Sequence, residues 1–254
     1  MFVACSTRCF SREPLESALR HIAELEFSKF DLALVEDGTQ LRPSEVAENP
    51  ETALQRVRQG PNLTPTALDL DFGANDPKVV RRRFEAMCRL AKPLTVAVLT
   101  IPAARLGTPF DDEVTRLTSL TEIALREGLV PAVATDSLTL TADPAVAAAL
   151  CKAVPGLGLT LDPSHYINGP HQGGSFDEVY PFVQNVHLRD SGKGPDEFQV
   201  RVGQGNIEYG RIVNQLERHG YNRALTVAIL DDRENPFDVE IEVRKLKLLL
   251  ESLI

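Results

Sequence analysis

A chain of 254 residues, 43% hydrophobic and 25% charged, has the make-up of an ordinary globular protein, which excludes extensive disorder. Its net charge of -9 excludes a broad phosphate-binding face, because non-specific nucleic-acid affinity comes mainly from Lys and Arg. No apolar run approaches a membrane span, and the opening MFVACSTRCF is broken at Arg8, too short for a signal-peptide core. Cys5, Cys9, Cys88 and Cys151 show no metal or redox spacing, so free thiols in a reducing compartment, the cytoplasm, are expected.

In chain order, short strand-like runs alternate with longer helical ones. Strands are expected over 2–7, 30–35, 67–72, 94–100, 129–136, 157–162, 185–190 and 224–230. Helices are expected over 13–25, 44–59, 76–91, 111–127, 143–154, 175–183, 206–219 and 237–253. Asp76-Pro77 and Asp143-Pro144 each read as an N-cap with proline at the first helical position. Gly128 and Gly220 read as helix stops. In the last helix Val239, Val243, Leu246, Leu250 and Leu253 form an apolar stripe, for core packing or for a homo-oligomer seam. Eight βα cycles, with no linker or low-complexity segment, favour one (β/α)8 TIM barrel of the α/β class over residues 1–254, the size usual for that fold.

Barrel chemistry sits at the C-terminal strand ends, so polar residues there carry the functional reading. In LGLTLDPSH, Leu157, Leu159 and Leu161 share one strand face, and Gly158, Thr160 and Asp162 share the other. In NVHLRD, Val186 and Leu188 alternate with Asn185, His187 and Arg189. A carboxylate and an imidazole on the polar faces of successive strands can converge on one divalent ion. The competing reading is that either residue alone is a cap or a loop hydrogen bond.

The chain resembles the xylose isomerase-like barrels, a group of sugar isomerases, ketose epimerases, inosose dehydratases and type IV abasic-site endonucleases. The resemblance runs nearly end to end, through CST, LESALRHIAELEFSKFDLAL, GLTLDPSH, VHLRDSGKG and VGQGNIEYGRIVNQLERHGYNRALTVAIL. It implies Asp162 and His187 as ligands of a divalent metal (Mn, Mg, Co or Zn), with His165 a third ligand or a substrate contact. Two departures stand against a tight site. The family's fifth-strand glutamate, six residues after a glycine like Gly128, is Ala134 here, and its eighth-strand glutamate, eight residues after Gly220, is Ala228. One Asp with one or two His supplies too little charge and too few oxygens for a tight Mg or Mn site, so metal binding is expected to be weak or absent.

Asp136, on the Ala134 face, is the surviving candidate for a general base, with His165 binding or polarising a substrate oxygen. Arg8, Arg189, Lys193 and Arg201 are candidate substrate-binding cations near the strand ends, weighed against simple solvation for Lys193 and Arg201. Two functions follow. One is an isomerase or epimerase acting on a keto-sugar, polyol or related hydroxylated substrate by metal-assisted proton transfer. The other is a non-catalytic relative that keeps the pocket for a small carbohydrate-like ligand or a partner after losing the glutamates. An abasic-site endonuclease is disfavoured by the acidic charge and by only five histidines, of which His21 and His219 lie on outer helices. No nucleic-acid or membrane partner is expected.

Overall fold

In the computed structural model, which describes residues 1–254, eight parallel strands close in sequence order into a barrel. They are β1 (Phe2–Ser6), β2 (Lys29–Val35), β3 (Thr64–Asp71), β4 (Val98–Ile101), β5 (Val130–Ala134), β6 (Gly158–Leu161), β7 (Val183–Leu188) and β8 (Ala224–Val227). Pairing of β8 with β1, from Phe2 opposite Ala224 to Cys5 opposite Val227, closes the ring. The helices are α1 (Leu15–Glu24), α2 (Pro43–Glu48), α3 (Pro50–Arg58), α4 (Pro77–Ala91), α5 (Phe110–Arg126), α6 (Pro144–Ala153), α7 (Ser164–Ile167), α8 (Tyr209–Arg218) and α9 (Val239–Glu251). No helix is long and apolar enough to cross a membrane.

Strand parity sorts the side chains. Leu159, Leu161, Val186 and Leu188 point outward into a core of 62 buried residues between strands and helices. On the inner face Ala67, Val98 and Ala132 form one small apolar cluster. The rest of the interior is polar or very small, and this leaves room for charged groups near the mouth. Val243, Leu246 and Leu250 of α9 are fully buried, so its stripe packs into the core.

The capping signals act as expected. Asp76 accepts from Lys78 N and Asp143 from Ala145 N, while Gly128 takes a φ of 73° that lets α5 turn into β5. Several elements differ from expectation, among them a short additional helix, α7, after β6, an earlier start of β3 at Thr64 and an earlier end of β8 at Val227. The helix over 44–59 is two helices, because Pro50 keeps Asn49 out of the helical region, at φ -145°, and Asn49 then caps α3 through Thr52 N. The stretch over 175–183 is a 3-10 helix, Asp177–Phe182, with Pro181 inside it. Strand β4 begins late, since Val96 N still bonds Ala91 O and Thr95 sits at φ 57° in the turn leaving α4.

Candidate functional site: a charged barrel mouth

Three carboxylates rise from the inner faces of the strands, and each is met by a cation. Asp31, in the middle of β2, is fully buried. Its Oδ2 receives His187 Nε2 at 3.1 Å, Asn185 Nδ2 at 3.0 Å and Thr226 Oγ1 at 3.1 Å, and its Oδ1 receives the Thr66 hydroxyl. Asp69, near the end of β3, accepts Arg8 Nε at 2.5 Å. Asp162, just past β6, accepts Arg189 Nη2 on Oδ2, and on Oδ1 both Ser164 N at 3.1 Å and Ser164 Oγ at 2.5 Å. With His187 protonated, the three anions are matched by three cations. A buried charge persists only when paired in this way.

The titration behaviour follows from that pairing. Burial pushes the Asp162 carboxyl up, but the Arg189 guanidinium, with His165 and the Ser164 hydrogen bond, outweighs it and holds it below the usual carboxylate range. Asp69 is likewise raised by burial and held low by Arg8 and His187. For His187, burial favours the neutral ring, yet the Asp31 hydrogen bond and the charge of Asp69 leave it above its ordinary value. His165 goes the other way. Its burial outweighs the attraction of Asp162, and Arg189 repels a second positive charge, so it stays neutral to a lower pH.

His165, on α7, lies between two carboxylates: its Nε2 is 3.8 Å from Asp162 Oδ2 and its Nδ1 is 3.9 Å from Asp136 Oδ1. Ser137 N donates to Nδ1 at 3.0 Å, which fixes the neutral tautomer with the proton on Nε2. The Ser137 hydroxyl is 3.3 Å from the same Nδ1, whose lone pair is already engaged, so the pair does not make an activated nucleophile. Asp136 is half-exposed, and its Oδ1 accepts Leu138 N at 2.8 Å.

Phe198 covers this cluster. Its ring centroid is 4.8 Å from that of His165, and the Arg189 guanidinium carbon lies 5.0 Å from it. The loop that carries Phe198 is pinned by Asp190, whose Oδ2 accepts Gly203 N at 2.7 Å and Gly205 N at 3.1 Å. Any Cβ at Gly205 would lie 2.1 Å from Asp190 Oδ1, so only glycine fits at this position of the loop.

The structure therefore brings together Arg8, Asp162, His165, His187 and Arg189, with Asp136 at the rim. Lys193 and Arg201 are exposed, and neither bonds to this cluster; the Arg201 Nη2 donates to Pro236 O at 3.3 Å. Asp31, Asp69 and Phe198 are members that the sequence reading missed. For the two aspartates a signal was present: each interrupts an apolar strand on the face opposite Leu32 and Leu34, or Leu68 and Leu70.

The donor set does not fit a tightly held divalent ion. A metal ligand must present a free, deprotonated donor. Here one Asp162 oxygen is engaged by a guanidinium and the other by Ser164, and the His187 Nε2 faces Asp31. The positions at which glutamates would complete the set are Ala134 and Ala228, and no three His, Cys, Asp or Glu side chains converge as a metal-holding group.

Residues 19–249 match the model of the family described as xylose isomerase-like TIM barrel. No curated protein matches the chain. Among solved structures, the IOLI protein with a zinc atom is 18% identical, with a TM-score of 0.75 over 100% of this chain and 98% of that one. A xylose isomerase-like TIM barrel protein from Mycobacterium smegmatis, in complex with magnesium, is 15% identical, with a TM-score of 0.75 over 99% of this chain and 97% of that one. A D-tagatose 3-epimerase-like protein is 18% identical, with a TM-score of 0.73 over 100% of this chain and 98% of that one. At these identities the likeness establishes the fold alone.

Proposed function

Since the chain belongs to the xylose isomerase-like TIM barrel family, we propose that its barrel mouth binds a small carbohydrate-like, hydroxylated ligand through fixed protein charges rather than through a tightly held divalent ion. The observation that carries this reading is the Arg189 guanidinium bonded to Asp162. That pair occupies Asp162 and denies it to a metal, while the Nη groups of Arg8, which have no protein partner, offer a ligand hydroxyl charge-assisted hydrogen bonds, about twice as strong as neutral ones. His165 offers its Nε2 proton to a ligand oxygen, and Asp136, at the rim, can accept a proton or a hydroxyl hydrogen bond. Phe198 provides an apolar surface above both His165 and Arg189.

The test is a panel of polyols and keto-sugars offered to chelator-treated protein, read by saturation-transfer NMR. Binding without added metal is expected. Binding that appears only after Mg, Mn, Co or Zn is supplied would overturn the reading.

A second reading, an isomerase or epimerase of keto-sugars, is favoured by one arrangement: Asp136 and Asp162 lie on opposite sides of His165, a layout suited to moving a proton. Its assay is the appearance of the epimeric sugar by NMR in the presence of each metal, with loss of turnover in Asp136→Asn. No turnover on the whole panel would exclude it in favour of the binding protein.

A further inference from the structure

A cavity of about 290 Å³ opens where the loops after β1 and β2 meet the chain leaving β8. Arg8, Arg12, Asp37, Gln40, Leu41 and Leu230 are among its lining residues. Its volume is just below the range of small-molecule pockets, roughly 300–1,000 Å³. The rim is stitched in place before any ligand arrives: Gln40 Nε2 donates to Thr7 O at 3.1 Å and to Phe10 O at 2.9 Å, and Thr39 Oγ1 to Ser11 O at 2.5 Å. The two arginines differ. Arg12 is committed to Asp231, with its Nε and Nη2 at 2.7 and 2.6 Å from Oδ1. Arg8 bonds Asp69 through Nε alone, and its two Nη groups make no protein hydrogen bond. Its side chain is 29% exposed and lines the cavity. A charged fork held at its base and open at its tip is a bidentate receptor for a planar anion.

We infer that this cavity takes the carboxylate end of a small polyhydroxylated acid, with the carboxylate on the Nη fork of Arg8. The inference rests on the reading of the mouth as a site for hydroxylated ligands and narrows its chemistry. Leu41, Leu230, Ala33 and Val35 supply an apolar wall for the carbon skeleton, and the Arg8–Asp69 pair leads from the cavity to the charged barrel interior. A carboxylate suits the site better than a phosphate ester. The Arg8 fork offers two donors in one plane, Arg12 is committed to Asp231, and with Asp69 beside Arg8 and Asp37 lining the same space a dianion would meet more like-charge repulsion than a monoanion.

The experiment is calorimetry on the full chain with D-gluconate, its uncharged analogue D-glucitol, and D-glucose 6-phosphate, in chelator. Gluconate is expected to bind at least about ten-fold more tightly than glucitol, the scale of one charge-assisted bidentate contact. The Arg8→Lys variant keeps a cation for Asp69 but lacks the fork, and it is expected to lose most of that preference while its melting temperature stays near that of the parent. Equal binding of gluconate and glucitol, tighter binding of the phosphate ester, or an unchanged preference in Arg8→Lys overturns the inference. Equal binding would leave the hydroxylated-ligand reading standing. No binding by any of the three overturns the inference, and the wider reading falls with it only if the polyol and keto-sugar panel is also silent.

Discussion

Arg189 and Asp162 form an ion pair across the adjacent ends of β7 and β6, with each side chain about 6% exposed. The carboxylate at which the family resemblance places a divalent ion is thus neutralised by a cation that belongs to the chain. Removing one partner of a buried pair typically costs about 3–5 kcal/mol, because the other charge is left uncompensated. Arg189→Met should therefore lower the unfolding free energy, measured in urea, by about that amount. The double variant Arg189→Met/Asp162→Leu should recover a large part of the loss. A single-variant effect within experimental error would show that the pair carries no such role.

Phe198 is expected to keep water from His165. Phe198→Ala should raise the His165 pKa toward the ordinary histidine value, about 6.5, since burial is the main cause of its depression. An NMR titration of the His165 ring protons measures this. A pKa that stays at its parental value would assign the depression to Arg189 instead.

The two mouth histidines set opposite limbs of the stability profile. His187 has a raised folded pKa, so its contribution is full below the unfolded value of about 6.5 and is lost as pH rises through the folded one. His165 has a lowered folded pKa, so stability is lost as pH falls from about 6.5 through its folded value. The lowered carboxyls of Asp69 and Asp162 add a loss at still lower pH, below about 3.9, as they become protonated. Melting temperature should peak near the unfolded histidine value. His187→Gln should flatten the alkaline limb and leave the acid limb in place; an unaltered alkaline limb would place its origin elsewhere.

The fold was legible because its signals are local and repeated: strand parity, Asp-Pro helix starts and eight alternations each point to the same closed sheet. Parity also placed Asp162, His187 and Arg189 on the inner face, where they lie. What parity cannot supply is pairing. Arg189 and Asp162 are 27 residues apart and Asp31 and His187 are 156 apart, and which inward groups meet depends on barrel register. Asp31 and Asp69 lie within their strands rather than past the strand ends where barrel chemistry is expected, although a carboxylate within an apolar strand is itself a signal. Phe198 had no such signal, since its place over His165 follows from a loop whose path is set by Asp190 and the glycine backbone. The Pro50 break was readable from the same rule that predicts helix starts, applied to the residue before the proline.

Asp69→Asn tests the second ion pair. It removes the charge that neutralises Arg8 and leaves an amide oxygen that can still accept from its Nε, so D-gluconate affinity should rise several-fold relative to D-glucitol affinity. Parallel calorimetric titrations of both compounds decide it. Equal losses for the two would point to a general disturbance of the mouth.

Arg189 balances Asp162 where a divalent metal would otherwise stand. Titrating Mn²⁺ into chelator-treated, dialysed protein in a calorimeter decides between the two. No stoichiometric binding in the micromolar range is expected, for the parent chain and for Asp162→Asn alike. One tightly bound Mn²⁺ per chain, abolished by Asp162→Asn, would contradict it.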